Sequence, residues 1–324
     1  QSIIAGGAQA DGVFIEDASA NEIDRLSLDT QISGNEQAGG RIKGSVASQN
    51  RILANLIGPG SSGTQPLLDS QQQHGIVIEE GAHDNQVGDT ASALVSWSGN
   101  IVRYNSYQGI VVRGETTLNN RLSGNIVMNG PGPAIDLGGD GLTPNDKDDP
   151  DAGPNGLQNS PEIFTAFYPD AEPGGPTIFS PISITYRVDS ALINASYPIT
   201  IEFFRADSMA SGQALSYLGA TSYTAPNAQS AVSVLVYPIQ PTNFWWPIVA
   251  AATDGQGNTS ELTSAICPGA HPDVNRSGRV DMVDIMLIAH LLGRTPYLYD
   301  SNCDGVLDVI DLRAAAAAWQ PGAP

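Results

Sequence analysis

The sequence predicts a mainly β chain in three parts: a stacked β-solenoid over residues 1–160, an antiparallel β-sandwich over 161–267 and a small α-helical unit over 268–324. Three observations carry this. Short β-branched triplets recur beside Gly and Asn in the first half, the apolar period becomes two after Pro161, and two similar oxygen-rich loops lie near the end.

At 324 residues the chain is too long for one ordinary core. Its 34 acidic residues against 14 basic ones leave a formal charge of −20. Nucleic acid and anionic membrane surfaces want the opposite sign, so neither is expected as a partner. Such a surplus suggests bound cations or simply a solvated surface. No apolar run approaches the roughly 18–20 residues needed to span a bilayer. No signal peptide is visible, and a start at Gln1 inside patterned sequence reads as a processed or trimmed product.

In the first part, Gly12-Val13-Phe14-Ile15, Gly75-Ile76-Val77-Ile78, Gly109-Ile110-Val111-Val112 and Ala134-Ile135-Asp136-Leu137 form one series. A second series reads Asn50-Arg51-Ile52-Leu53-Ala54-Asn55, Asn100-Ile101-Val102-Arg103-Tyr104-Asn105 and Asn125-Ile126-Val127-Met128-Asn129. From Gly109 to Ala134, and from Asn100 to Asn125, the offset is 25 residues. A period in the twenties with very short strands marks stacked coils, in which Ile and Val point inward and Asn and Gly turn left-handed corners. The alternative is an antiparallel sandwich, which would favour hairpins at shorter spacing. This region resembles the right-handed parallel β-helix repeat proteins, an architecture shared with pectate lyases and many bacterial surface proteins.

The stretch from Asp136 to Asn159 closes that part and is similar to a terminal loop found in bacterial β-helix repeat proteins just before an Ig-like module. At about 4 Å and an effective dielectric near 20, two of its carboxylates repel by about 4 kcal/mol. A hard cation would remove that cost, making Asp140, Asp146, Asp148 and Asp151 further candidate metal ligands; a solvated acidic linker is the other reading.

After Pro161, Ile182, Ile184, Tyr186 and Val188 alternate with polar residues, as do Ile199, Ile201 and Phe203. Val232, Val234 and Val236 flank Leu235, which predicts a more buried strand, and Ile248–Thr253 is another. The pattern indicates a small Ig-like sandwich, and the ending Ala252 to Glu261 is similar to bacterial Ig-like modules. The cluster Phe244-Trp245-Trp246 reads as core, or as a platform for a sugar ring.

The strongest chemistry lies in two twelve-residue loops, Asp273 to Asp284 and Asp300 to Asp311. Oxygen side chains stand at positions 1, 3, 5, 9 and 12: Asp273, Asn275, Ser277, Asp281 and Asp284, then Asp300, Asn302, Asp304, Asp308 and Asp311. Gly278 and Gly305 hold position 6, where calcium loops need a sharp turn; Arg279 and Val306 would offer the position-7 carbonyl. Ser277 is a weaker ligand than Asp304. Each loop leads into a helix with no convincing helix before it, and position 12 is Asp. With loop starts 27 residues apart, this resembles a type I dockerin. The matched apolar residues Val280, Ile285 and Leu292, against Leu307, Leu312 and Trp319, carry the likeness further.

The resemblance implies Ca2+ as a folding requirement and a cohesin-like domain, or a neighbouring copy of the chain, as partner. It places recognition at positions 10 and 11: Met282 and Val283, Val309 and Ile310. These are apolar rather than Ser or Thr, a departure that leaves the partner open.

The two cysteines, Cys267 and Cys303, are predicted to pair. Cys267 precedes the first loop, and Cys303 sits at position 4 of the second, its side chain expected to point away from the metal. Closing roughly 35 residues would stabilise by about 3–4 kcal/mol in the chain-entropy model. Free thiols in a reducing compartment are the alternative.

No acid–base pair can be named for catalysis. Arg41-Ile42-Lys43 mimics a polygalacturonase tripeptide without its companions; His74 and His83 lie in no recognisable constellation, and Arg103 and Arg113 read as solvated positions. The expectation is therefore a secreted, extracellular or cell-surface structural protein. The alternative is a dockerin-bearing polysaccharide lyase or glycoside hydrolase acting on an acidic polysaccharide. The chain opens on Ser2-Ile3-Ile4 without a capping helix, so the first coil is expected to be covered by another protein, as in a fibre, or by upstream coils.

Overall fold

The computed structural model describes residues 2–5, 9–23, 30–60, 62–67, 72–89, 99–128, 130–169, 180–238, 246–268, 273–275, 277, 279–293, 299–304, 306–317 and 319. Phe244, Trp245, Gly278 and Gly305 lie outside the described residues.

The first part contains three parallel sheets that the chain visits in rotation. The first sheet holds β1 (Ser2–Ala5), β4 (Thr30–Ser33), β7 (Asn55–Ile57), β10 (Ile101–Arg103) and β13 (Ile126–Met128). The second holds β2 (Asp11–Glu16), β5 (Ala38–Lys43), β8 (His74–Glu79), β11 (Ile110–Val112) and β14 (Ile135–Leu137). β3 (Glu22–Ile23), β6 (Arg51–Ile52), β9 (Gln86–Val87) and β12 (Arg121–Leu122) make the third.

Register stacks like side chains on like. Ile15, Ile42, Ile78, Val112 and Leu137 form one column, and Ile32, Ile57, Val102 and Val127 another. Both columns share one buried core with Ile52, Val87 and Leu122 of the third sheet. The glycine before each triplet is a packing requirement. A Cβ on Gly75 would meet Val102 Cγ1 at 2.1 Å, and one on Gly109 would meet Val127 Cγ1 at 2.0 Å.

Two sequence expectations need correction. Asn50-Arg51-Ile52 does not share a register with Asn100-Ile101-Val102. Arg51 and Ile52 pair with Gln86 and Val87, and these with Arg121 and Leu122, whereas Ile101 pairs with Leu56 and Ile126. Both stretches open on an asparagine just before a short strand, yet the two corners differ. The left-handed residue is moreover the one before the asparagine: Gln49, Ala54, Asp84, Tyr104 and Asn119 have φ of 57°, 53°, 54°, 60° and 59°. That strain, about 1–2 kcal/mol per residue, precedes an asparagine whose amide bonds along the stack.

Three such amide ladders run through the interior. Asn21, Asn50 and Asn85 each donate to the next side-chain oxygen at 2.9, 3.0 and 2.9 Å, ending on Asn120. Asn55, Asn100 and Asn125 form the second, at 3.2 and 2.9 Å, and Asn35, Gln72 and Asn105 the third, at 2.9 and 2.7 Å. Most of these buried corner amides are thereby satisfied, Asn55 Oδ1 being the exception.

The second part packs two antiparallel sheets. β17 (Ile199–Ala206) lies between β18 (Ala214–Tyr223) and β20 (Ile248–Thr253); β16 (Ile182–Arg187) lies between β15 (Glu162–Phe167) and β19 (Val232–Val236). Ile184, Tyr186, Ile201, Phe203, Tyr223 and Ala250 share its core. β19 is an edge strand with Leu235 exposed, so it is less buried than its composition predicts.

This sandwich closes one end of the parallel sheets. Val127 of β13 pairs with Ala214 of β18, extending the first sheet in antiparallel sense. Sandwich side chains take the backbone N–H groups of the last coil: Leu122 N donates to Thr259 Oγ1 at 2.9 Å, Gly124 N to Glu202 at 3.2 Å and Asn119 N to Asn258 at 2.7 Å.

The third part has two helices, α1 (Met282–Leu291) and α2 (Val309–Ala317). Cys267 and Cys303 form a disulfide with Cα atoms 5.7 Å apart. No helix among the described residues is long and apolar enough to cross a membrane.

Candidate metal centres and the C-terminal loops

The two C-terminal loops share most of their hydrogen-bond pattern. In each, the position-1 Asp accepts the position-5 N–H: Ser277 N to Asp273 at 2.9 Å, and Asp304 N to Asp300 at 3.2 Å. The position-3 Asn accepts the same N–H, at 2.8 Å to Asn275 and 3.3 Å to Asn302. Position 12 accepts the position-9 N–H: Asp281 N to Asp284 at 2.9 Å, and Asp308 N to Asp311 at 2.8 Å. Its second oxygen closes the loop start, from Asn275 N at 3.1 Å in one and Ser301 N at 2.7 Å in the other. Position 9 caps the following helix, with Val283 N on Asp281 at 2.8 Å and Ile310 N on Asp308 at 2.6 Å.

Burial follows the same duplication. Asp284 and Asp311 are fully buried, as are Ile288 and Ala315 four residues on; Val280 and Leu307 are buried together. Ile288, Tyr299, Leu307 and Ala315 make the small core. Leu292 and Trp319, matched in the sequence, are both exposed and take no part in that core. Burial and the nearby Asp311 push the Tyr299 hydroxyl up to about 12. Ser277 Oγ donates to Arg279 O at 3.1 Å, so positions 5 and 7 of the first loop face one space. The arrangement offers oxygen ligands throughout, as calcium requires. In both loops the acids accept hydrogen bonds from the loop's own N–H groups.

Met282, Val283, Val309 and Ile310 are all exposed, and Met286, Leu287 and Val306 extend the apolar face. Val306 was expected only as the position-7 carbonyl, and Met286 and Leu287, apolar residues of the first helix outside the small core, were not among the expected positions.

A second acidic centre lies where the parallel sheets meet the sandwich. Asp146, Asp149 and Asp151 bring one carboxylate oxygen each within 4.8 Å of the others, and this group is positioned to hold a metal ion. Asp146 Oδ1 and Asp151 Oδ1 are inaccessible to solvent and have no hydrogen-bond partner. Asp149 is held by Asn159 N at 3.1 Å, Gln158 Nε2 at 2.6 Å and the Ser190 hydroxyl. Burial pushes its carboxyl up to about 6 against those hydrogen bonds, with Asp151 and Asp146 adding to the rise. Burial and Asp146 also raise Asp151.

Asp149, absent from the predicted set, belongs here, and Asp140 and Asp148 do not. Asp148 turns to Gln229 Nε2, 2.5 Å away, and to Lys147 at 3.6 Å. Asp140 lies instead in the turn beside Gly138 and raises the pKa of Glu261. Alternation of charge along a loop does not reveal which carboxylates its turns bring together.

On the second sheet, Arg41 pairs with Asp11 at 2.9 Å and with Glu79 at 2.5 Å. Arg113 stands 3.2 Å from His74 Nε2 and 3.9 Å from Glu79. Burial, then Arg113 and Arg41, lowers His74 to about 4. His83 pairs with Asp84 at 2.7 Å, well away from that row in sequence. Arg113 is thus engaged by neighbours rather than simply solvated, and Arg103 Nε is buried without a hydrogen-bond partner.

No protein-family model matches the chain, and no curated protein matches it significantly.

Proposed function

We propose that this is a secreted, calcium-stabilised, non-catalytic structural protein of the cell surface or extracellular matrix. In this reading the first part is a right-handed parallel β-helix acting as a rod. An Ig-like module caps it, and a dockerin-like domain joins it to a cohesin-like domain or to a neighbouring copy. The duplicated hydrogen-bond pattern of the two loops carries the reading: two surface turns have no reason to agree at positions 1, 3, 5, 9 and 12. Ca2+ would be held by Asp273, Asn275, Ser277, Asp281, Asp284 and the Arg279 carbonyl. In the second loop Asp300, Asn302, Asp304, Asp308, Asp311 and the Val306 carbonyl would do the same. Asp146, Asp149 and Asp151 would take a third ion, supported by their two buried, unpartnered oxygens.

The apolar positions 10 and 11 support docking by burial of hydrophobic surface rather than by hydroxyl hydrogen bonds. Calcium calorimetry on the full chain tests the reading, alongside cleavage assays on acidic polysaccharides. Binding at both loops and at the Asp149 centre, with no cleavage, is expected; no calcium binding, or substrate cleavage, would overturn it.

A further inference from the structure

We propose that the Cys267–Cys303 disulfide tunes calcium binding at the second loop alone, so that this loop is redox-sensitive and the first is not. The inference rests on the calcium reading above and adds a regulator to it.

Cys303 stands between Asn302 and Asp304, positions 3 and 5 of the second loop. Its φ is 54°, the left-handed region that a non-glycine residue enters at a cost. That turn lets the two flanking oxygen residues share one bond pattern: Asp304 N donates to Asn302 Oδ1 at 3.3 Å and to Asp300 Oδ1 at 3.2 Å, and Asn302 Nδ2 to Asp304 Oδ2 at 2.9 Å. The Cys303 sulfur is bonded to Cys267, which is buried. Its neighbour Ile266 is clamped to Ile248, at the start of β20, by a reciprocal pair of backbone hydrogen bonds of 2.8 and 2.9 Å. The ligand-bearing turn is therefore anchored covalently to the edge of the sandwich. The first loop carries Arg276 at the equivalent position and has no such anchor.

Pre-ordering a loop raises its affinity, because the ordering entropy is not drawn from the binding step. Reduction by a dithiol reverses this. The S–S bond breaks, the reductant gives two electrons and two protons, both cysteines become thiols, and the reductant closes to its own disulfide. The second loop then has to order its own strained turn as the ion binds.

The test is calcium titration of the full chain by calorimetry, in two single-loop variants: Asp284→Asn to weaken the first loop and Asp311→Asn to weaken the second. Each is titrated oxidised and after dithiothreitol. With the second loop alone intact, affinity is expected to fall about tenfold on reduction. With the first loop alone intact it stays within twofold. Cys267→Ser with Cys303→Ser reproduces the reduced values without reductant, and reoxidation of the wild-type chain restores them, which excludes misfolding as the cause. Equal weakening of both loops, or no weakening of the second, overturns the proposal while leaving the calcium reading intact. Failure of the oxidised wild-type chain to bind calcium overturns both.

Discussion

Glu261 of the sandwich accepts the backbone N–H of Leu137, in the last strand of the second parallel sheet, at 2.9 Å. Its other oxygen takes Thr143 N at 2.8 Å. One buried carboxylate thus joins the two parts of the chain, and its chemistry sets how firmly they hold.

That joint should weaken as pH rises. Burial pushes Glu261 up to about 7 from an ordinary value of 4.5, against the two N–H bonds and with Asp136 and Asp140 adding to it. A carboxyl whose folded pKa is raised binds more protons folded than unfolded. Its stability contribution is full below about 4.5 and is lost as pH rises through about 7. Glu261 should therefore contribute a loss of roughly 3 kcal/mol across that window, read by thermal unfolding in chelator. Glu261→Gln should reduce the slope, leaving the share of Asp149, whose carboxyl is also raised; an unchanged slope in that variant would exclude this residue as the source.

Calcium withdrawal should melt the C-terminal unit. A ligand present at a thousandfold excess over its Kd adds roughly 4 kcal/mol. Chelator should remove the α1 and α2 circular dichroism signal while the β signal persists. Asp311→Ala should do the same to the second half, because it removes the acceptor for both Ser301 N and Asp308 N.

The Asp149 centre makes a separate prediction. Calcium at pH 7.5 should raise the melting temperature of the main β transition by several degrees, and Asp151→Asn should abolish the rise. Differential scanning calorimetry of the two proteins with and without calcium measures it. A rise that survives the substitution would assign the effect elsewhere.

Gly109→Ala should destabilise the parallel sheets by about 1–3 kcal/mol, since the new methyl group would stand 2.0 Å from Val127 Cγ1. Val127→Ala in the same chain should recover part of that loss, which denaturant titration of the single and double variants can read.

Asn85→Ala should cost about 3 kcal/mol, more than a surface asparagine. It strips Asn50 N and Nδ2 of their acceptor and Asn120 Oδ1 of a donor, all of them buried. Chemical denaturation beside an Asn227→Ala control, a substitution at the surface, separates ladder from surface.

Much of this was legible in local text. The Gly-Ile-Val-Ile strands carry their own β signal, and the calcium-loop pattern is complete within twelve residues because its ligands are sequence neighbours. The period-two strands Ile182–Arg187 and Ile199–Ala206 likewise announce one buried face. What depends on distant partners was hidden. Asn50 and Asn100 each stand just before a short strand yet occupy different corners, since register is set by the turns between them, which differ in length along the chain. Asp149 joined Asp146 and Asp151 while Asp148 turned away to Gln229, a residue of the sandwich. Glu261 and Glu202 became the closing acceptors of the last coil only because the sandwich folded back onto it. The sequence by itself determined the alternating strands and the cysteine pair, governed by short-range sterics and spacing. Only the tertiary structure decided which buried polar groups meet, because each unpaired N–H or carboxylate oxygen takes whatever partner the packed neighbours bring within reach.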